Sequence, residues 1–118
     1  MSRLARISRE SAGDVELARV DGEIDASNVE ELSESLLGSI PNSARALVLD
    51  LSNTTYIDSS GVSLIFDVAT RLRNRRQKLR LVVIPRSFVA EVLAAVKLGD
   101  MVPIDKAVPD ALTAVGAG

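Results

Sequence analysis

Two short runs, 44–51 (Ala-Arg-Ala-Leu-Val-Leu-Asp-Leu) and 79–84 (Leu-Arg-Leu-Val-Val-Ile), constrain this chain more than any other feature. Each is too short for a buried helix and too apolar for a strand with one face in water. Strands of this kind sit inside parallel sheets whose two faces are both covered. Between the runs, Val62, Ile65, Phe66, Ala69 and Leu72 recur at i, i+3, i+4, i+7 and i+10. That spacing predicts a helix to about Arg75 with a single apolar stripe. Strand, helix and strand in this order form a crossover unit, so the fold class is α/β with a mixed sheet.

The flanking sequence extends the same alternation. Residues 3–9 and 14–21 alternate loosely (Leu4, Ala5, Ile7, then Val15, Leu17, Val20) around the turn cluster Ser11-Ala12-Gly13-Asp14. They read as two strands joined by a short turn. Gly22-Glu23-Ile24-Asp25 then leads into a first helix, with Ser27 and Glu30 at capping-box spacing. Val29, Leu32, Leu36 and Ile40 face its core side, Glu30, Glu31 and Glu34 its solvent side, and Pro41-Asn42 stops it. Ser87 is placed to cap a third helix carrying Val89, Val92, Leu93 and Val96, with Gly99 at the C′ position. Met101–Ile104 adds a short strand, and Pro109 opens a last helix over 109–115. The expectation is one domain over residues 3–115, with four to five strands and about four helices.

Composition removes whole classes of chemistry. Cysteine and histidine are both absent, which eliminates disulfides, thiolate and imidazole metal sites, cysteine nucleophiles and the Ser-His-Asp triad. The expectation is a protein that is not an enzyme, with no metal and no cofactor. A net charge of −2 gives no global basic field, and the only aromatic side chains are Tyr56, Phe66 and Phe88, so nucleic acid is not an expected partner. Arg3, Arg6 and Arg9 interrupt the first ten residues, and no stretch approaches the ~18 apolar residues of a membrane span. A cytoplasmic protein without a membrane partner is expected.

The segment most able to carry function is Tyr56-Ile57-Asp58-Ser59-Ser60-Gly61-Val62. It places two serines where the central helix begins, a position at which free amides and the positive end of the helix dipole favour an oxygen or a phosphate. Gly61 is expected to keep the first turn uncrowded for an approaching partner. Capping by Asp58 or Ser59 explains such a junction equally well.

With Gly-Glu-Ile-Asp at 22–25, Leu-Val-Leu-Asp-Leu at 47–51 and Ile-Asp-Ser-Ser-Gly-Val at 57–62, the chain resembles a STAS domain over essentially residues 3–115. These domains occur in sulfate transporters and in bacterial anti-sigma factor antagonists, whose stand-alone members carry Asp-Ser-Ser/Thr-Gly at the last motif. The resemblance implies a STAS-like layered fold and a phosphorylation-switched binding module. Ser59 is then the phosphoacceptor, with Ser60 second to it. Asp25, Asp58, Ser59, Ser60, Gly61 and Leu64 form the partner surface. Unmodified, such a protein binds an anti-sigma factor that is itself a serine kinase, and so frees a sigma factor. The partner carries the ATP, phosphorylation ends binding, and a phosphoserine phosphatase resets the switch. Ser63 departs from the pattern, since many relatives have a second glycine there.

Other readings stay open beside this one. The chain could serve as a STAS subunit of a larger assembly, such as a stressosome or a lipid-transport complex. A small nucleotide-binding protein is the remaining alternative, against which stands the absence of any Gly-x-x-x-x-Gly-Lys-Ser/Thr or Gly-x-Gly-x-x-Gly loop. Arg71, Arg73, Arg75, Arg76, Lys78 and Arg80 read as a solvated basic face at a helix C-terminus. Leu64 and Val68 read either as a widening of the core stripe or as a contact patch for the partner.

Overall fold

The structure is a computed structural model that describes residues 5–38 and 40–116. Its first strand, β1 (Ala5–Ala12), turns through Gly13 and Asp14 into β2 (Val15–Ile24). Ala12 lies opposite Val15, so the turn has two residues, and Gly13 at φ 63° takes its first position. A glycine-first pair of this kind matches the right-handed twist of the two strands. The turn is tighter than the four-residue cluster implied, and the strand extends through Ser11 and Ala12. Residues 3 and 4 of the expected strand lie outside the described residues.

Helix α1 (Val29–Gly38) follows, then β3 (Ala46–Asp50), β4 (Thr54–Ile57), α2 (Ser59–Asn74) and β5 (Lys78–Val82). Helix α3 (Phe88–Ala95), a 3₁₀ turn at Leu98–Asp100, β6 (Ile104–Asp105) and α4 (Val108–Ala114) complete the order. All five residues of β3 are buried, as its apolar run requires. The sheet runs β1-β2-β3-β5-β6, antiparallel only between β1 and β2.

The sixth strand, β4, lies outside the four to five expected, and it pairs with β2 in parallel. β1 occupies one edge of β2 along its length, so β3 and β4 share the other. β3 takes Val15–Arg19, and β4 takes Gly22–Ile24, with a register shift between Gly22 and Glu23. Strand β4 reads Thr-Thr-Tyr-Ile with only its two ends buried, so no hydropathy run announces it.

Helices α1, α2 and α3 cover one face, joining Leu32, Leu36, Ile65, Leu72 and Leu93 to Leu47, Leu49 and Leu81 of the strands. Among the described residues, α4 alone covers the other, packing Ala111 and Val115 on Val15, Leu17, Val48 and Val82. Beyond the reach of α4, that face carries a half-buried ion pair, in which the partly exposed Arg19 side chain donates from Nε to Oδ2 of buried Asp50 at 2.8 Å. Asp50, 1% exposed, also accepts the Ser52 amide at 2.9 Å and so shapes the exit of β3.

Several local expectations change in detail. The Ser27–Glu30 capping box does not form, because the Ser27 hydroxyl donates to the Asp25 carboxylate instead. Gly99 is not the C′ residue of α3. The helix ends earlier, and Lys97 takes the left-handed conformation at φ 57° that glycine usually supplies. Pro109 is the second residue of α4, where a missing N–H still costs nothing.

Candidate functional site

The parallel pairing of β2 with β4 brings the two polar motifs together. Ile24 lies opposite Ile57, and the Asp58 amide donates to the Ile24 carbonyl at 3.3 Å. Asp25 and Asp58 therefore leave adjacent strand ends side by side, although they are far apart in sequence. This end holds the C-termini of the parallel strands, where open α/β sheets bind their ligands.

Each aspartate organises its own turn. Asp58 is the N-cap of α2, its Oδ1 accepting the amides of Ser60 at 2.9 Å and Gly61 at 3.1 Å. Two of the first-turn amides that could have held a phosphate, those of Ser60 and Gly61, are thus already engaged. Ser59, the first residue of α2, is exposed, and Ser60 is half-buried. Asp25 Oδ1 accepts the Ser27 amide at 2.9 Å and hydroxyl at 2.5 Å. Behind it, buried Asn28 clamps the strand end, its Nδ2 donating to the Glu23 carbonyl at 2.8 Å and its Oδ1 accepting the Asp25 amide at 3.1 Å. Sequence reasoning missed Asn28. The residue just before a helix is where such a side chain is expected, and Ser27 drew the attention instead.

Gly61 corrects the expectation attached to it. It is buried and packs inward against Ile24 and Ile57, so it lets α2 descend onto the strand ends and does not clear a path for a partner. Val68 is wholly core, and Leu64 is 7% exposed. The exposed edge of Leu64 belongs to a groove between α1 and α2, of about 400 Å³, lined by Val29, Ser60 and Ser63 and by the carboxylates Glu30, Glu34 and Asp67. No lysine or arginine occurs between positions 50 and 67. The surface around Ser59 is therefore anionic on every side that the groove and the two aspartates define. Among the described residues, no group of three or more acidic side chains is placed to hold a metal ion.

An apolar patch adjoins this surface and was not foreseen. Tyr56 stacks on Phe88 with ring centroids 5.5 Å apart and planes 8° from parallel. Both rings, and Ile84 nearby in the chain, are more than one-third exposed, which marks a candidate contact surface.

The sequence matches the model of the family described as STAS domain over residues 6–111. The chain belongs to the STAS-domain family. Solved structures place its fold among relatives of this STAS domain. An anti-sigma factor antagonist from Mycobacterium paratuberculosis superposes with a TM-score of 0.84 at 24% identity, over 94% of this chain and 93% of that one. The anti-sigma factor antagonist SpoIIAA in its unphosphorylated form gives a TM-score of 0.76 at 20% identity, over 93% and 96% of the two chains. At these identities the likeness is one of fold. A Bordetella bronchiseptica protein, BtrV, proposed to be an anti-sigma factor antagonist, is 32% identical over 65 residues, 55% of this chain. The match spans 56% of the length of BtrV.

Proposed function

We propose that this STAS domain, spanning residues 3–115, is an anti-sigma factor antagonist whose binding surface is the Asp25–Asp58–Ser59 end of the sheet. The observation that carries the reading is the position of Ser59: an exposed hydroxyl directly after the capping Asp58 and beside Asp25. The names of its relatives support the same role. The partner is an anti-sigma factor with serine-kinase activity that carries the ATP, and the protein itself performs no catalysis. It works in the cytoplasm, and a phosphoserine phosphatase restores the binding form.

The electrostatics explain how one phosphate would act as a switch. Phosphoserine adds roughly −1.5 to −2 charge. The Ser60 and Gly61 amides already serve Asp58, and positions 50–67 hold no lysine or arginine to neutralise the new group. The added charge faces the partner in a region that is already acidic. It repels any surface selected to sit against a neutral serine hydroxyl, and the fold of the domain stays as it is.

Incubation with the kinase partner and ATP should add one phosphate, on Ser59. Ser59→Ala should abolish labelling and keep partner binding, Ser60→Ala should keep most of the label, and Ser59→Asp should weaken binding without lowering the melting temperature. Asp25→Asn retains an acceptor for Ser27 and should still reduce labelling. Mass spectrometry that places the phosphate elsewhere, or equal partner affinities for the Ala and Asp variants at position 59, overturns the reading.

A further inference from the structure

The basic run between 71 and 80 is sorted by the fold into two sets. Arg71 pairs with Asp67 at 3.4 Å. Arg75 donates to the Ile40 carbonyl at 3.0 Å and to Asn42 Oδ1 at 2.8 Å. Arg80 holds both carboxylate oxygens of Asp105, at 2.7 and 3.0 Å. The remaining three, Arg73, Arg76 and Lys78, make no ion pair among the described residues, and all three line one cavity of about 440 Å³. Among the described residues, no carboxylate lines it. Arg80 lines the same cavity with its charge already met by Asp105, whereas Arg71 and Arg75 do not line it, so the remaining three cations of the run all share one concavity.

Two further features belong to the same walls. Arg76 sits in the left-handed region at φ 60°, in the turn that closes α2, where its amide donates to the Arg73 carbonyl and that of Gln77 to the Leu72 carbonyl. Glycine is the usual residue there, and a β-carbon costs conformational energy; arginine at this point projects a cation over the cavity. Gln77 lines it too and is 6% exposed, its Nε2 spent on the Pro41 and Ala44 carbonyls at 2.9 and 2.7 Å. Its Oε1 is buried and accepts no hydrogen bond among the described residues. The floor is aliphatic, made by Leu79, Met101, Val102 and Val115.

We propose that this cavity binds a small amphipathic anion. Its carboxylate, sulfate or phosphate head lies among Arg73, Arg76 and Lys78, and its aliphatic body lies on the apolar floor. The volume falls in the range of small-molecule sites, which runs from about 300 to 1,000 Å³, and guanidinium groups suit planar or tetrahedral oxyanions. The site is at the far end of α2 from Ser59, about 24 Å along a helix of 16 residues, so it stands or falls independently of the phosphorylation switch.

The test uses octanoate and octyl phosphate as monomers, octanol and inorganic phosphate as half-ligand controls, and phosphatidylglycerol vesicles for a membrane-borne headgroup. Calorimetry and methyl NMR should show one amphiphilic anion bound per chain, with shifts at Leu79, Met101, Val102 and Val115, and weaker or no binding of each control. Arg73→Gln/Arg76→Gln/Lys78→Gln should weaken binding roughly tenfold or more. Ala114→Trp, at the exposed rim, should block entry with the charges intact, and Ser59→Ala should bind as the parent does. Binding to vesicles that the triple variant loses, with no binding of the monomers, assigns the headgroup source and overturns the soluble ligand. No binding of any anionic probe, affinity untouched by the triple variant, or shifts confined to the Ser59 end overturns the site itself.

Discussion

Gly61 meets the ends of two strands at once: a β-carbon built on it would lie 2.4 Å from Ile57 Cγ1 and 2.9 Å from Ile24 Cγ2. Both contacts are shorter than carbon atoms tolerate, and the isoleucines are fully buried, so α2 must lift away to admit a methyl group. Gly61→Ala is expected to destabilise the domain by about 1–3 kcal/mol, the range for overpacking a filled core. It should also displace Asp58 and Ser59, so chemical denaturation should show the loss together with reduced phosphorylation of Ser59. An unchanged midpoint would mean that the helix start is soft. The inward role of Gly61 had a signal in the sequence, since it lies four residues before Ile65 on the apolar stripe. Glycine carries no hydropathy of its own, however, and its place in an Asp-Ser-Ser-Gly motif suggested access. Asp58 was legible as a cap, because short acceptors at helix starts have one dominant use. The three untied cations were not legible, because the groups that occupy Arg75 and Arg80 come from remote segments.

At the level of elements, β3 and the central helix could be read directly because burial on both faces, or on one stripe, leaves a pattern that no polar segment mimics. β5 could be read in part, since it runs from an exposed Lys78 to Val82 and leaves Ile84 of the expected run outside it and exposed. β4 could not, since half of its four residues face out and its existence depends on a free edge of β2. The joint between β2 and β3 carries a pH dependence of its own. Burial of Asp50 opposes its ionisation most strongly, yet the hydrogen bonds from Ser52 and Arg19 and the charge of Arg19 together outweigh that and hold its pKa below the ordinary value. The folded chain therefore binds fewer protons here than the unfolded one. The stability this confers is complete above the unfolded carboxylate pKa and is lost as pH falls through the depressed folded value. Asp50→Asn should thus be less stable than the parent at neutral pH, and the gap should narrow on titration toward about pH 3. A gap that stays constant across that range would show that Asp50 contributes packing alone.

Over the whole molecule, a net charge of −2 conceals two opposed ends. Carboxylates gather around Ser59, and unpaired cations gather at the cavity beyond the last turn of α2, an arrangement that no composition reports. The divided edge of β2 has a consequence for how the molecule comes apart. β4 pairs with the sheet through Gly22–Ile24, helped by the Thr54 hydroxyl donating to the Val20 carbonyl at 2.7 Å, whereas β3 is held between β2 and β5 along its length. Local opening of the β4 attachment need not disturb the central ladder, so the two should exchange their amide protons with solvent by different routes. Amides of β3 and β5 should exchange only through global unfolding, and those of Tyr56 to Ser59 faster, by sub-global opening, in native-state measurements over a denaturant series. Merging of both sets into one isotherm would show a single cooperative unit. Separation would mean that the serine segment can open without unfolding the domain that presents it, a route by which the proposed kinase partner would reach Ser59.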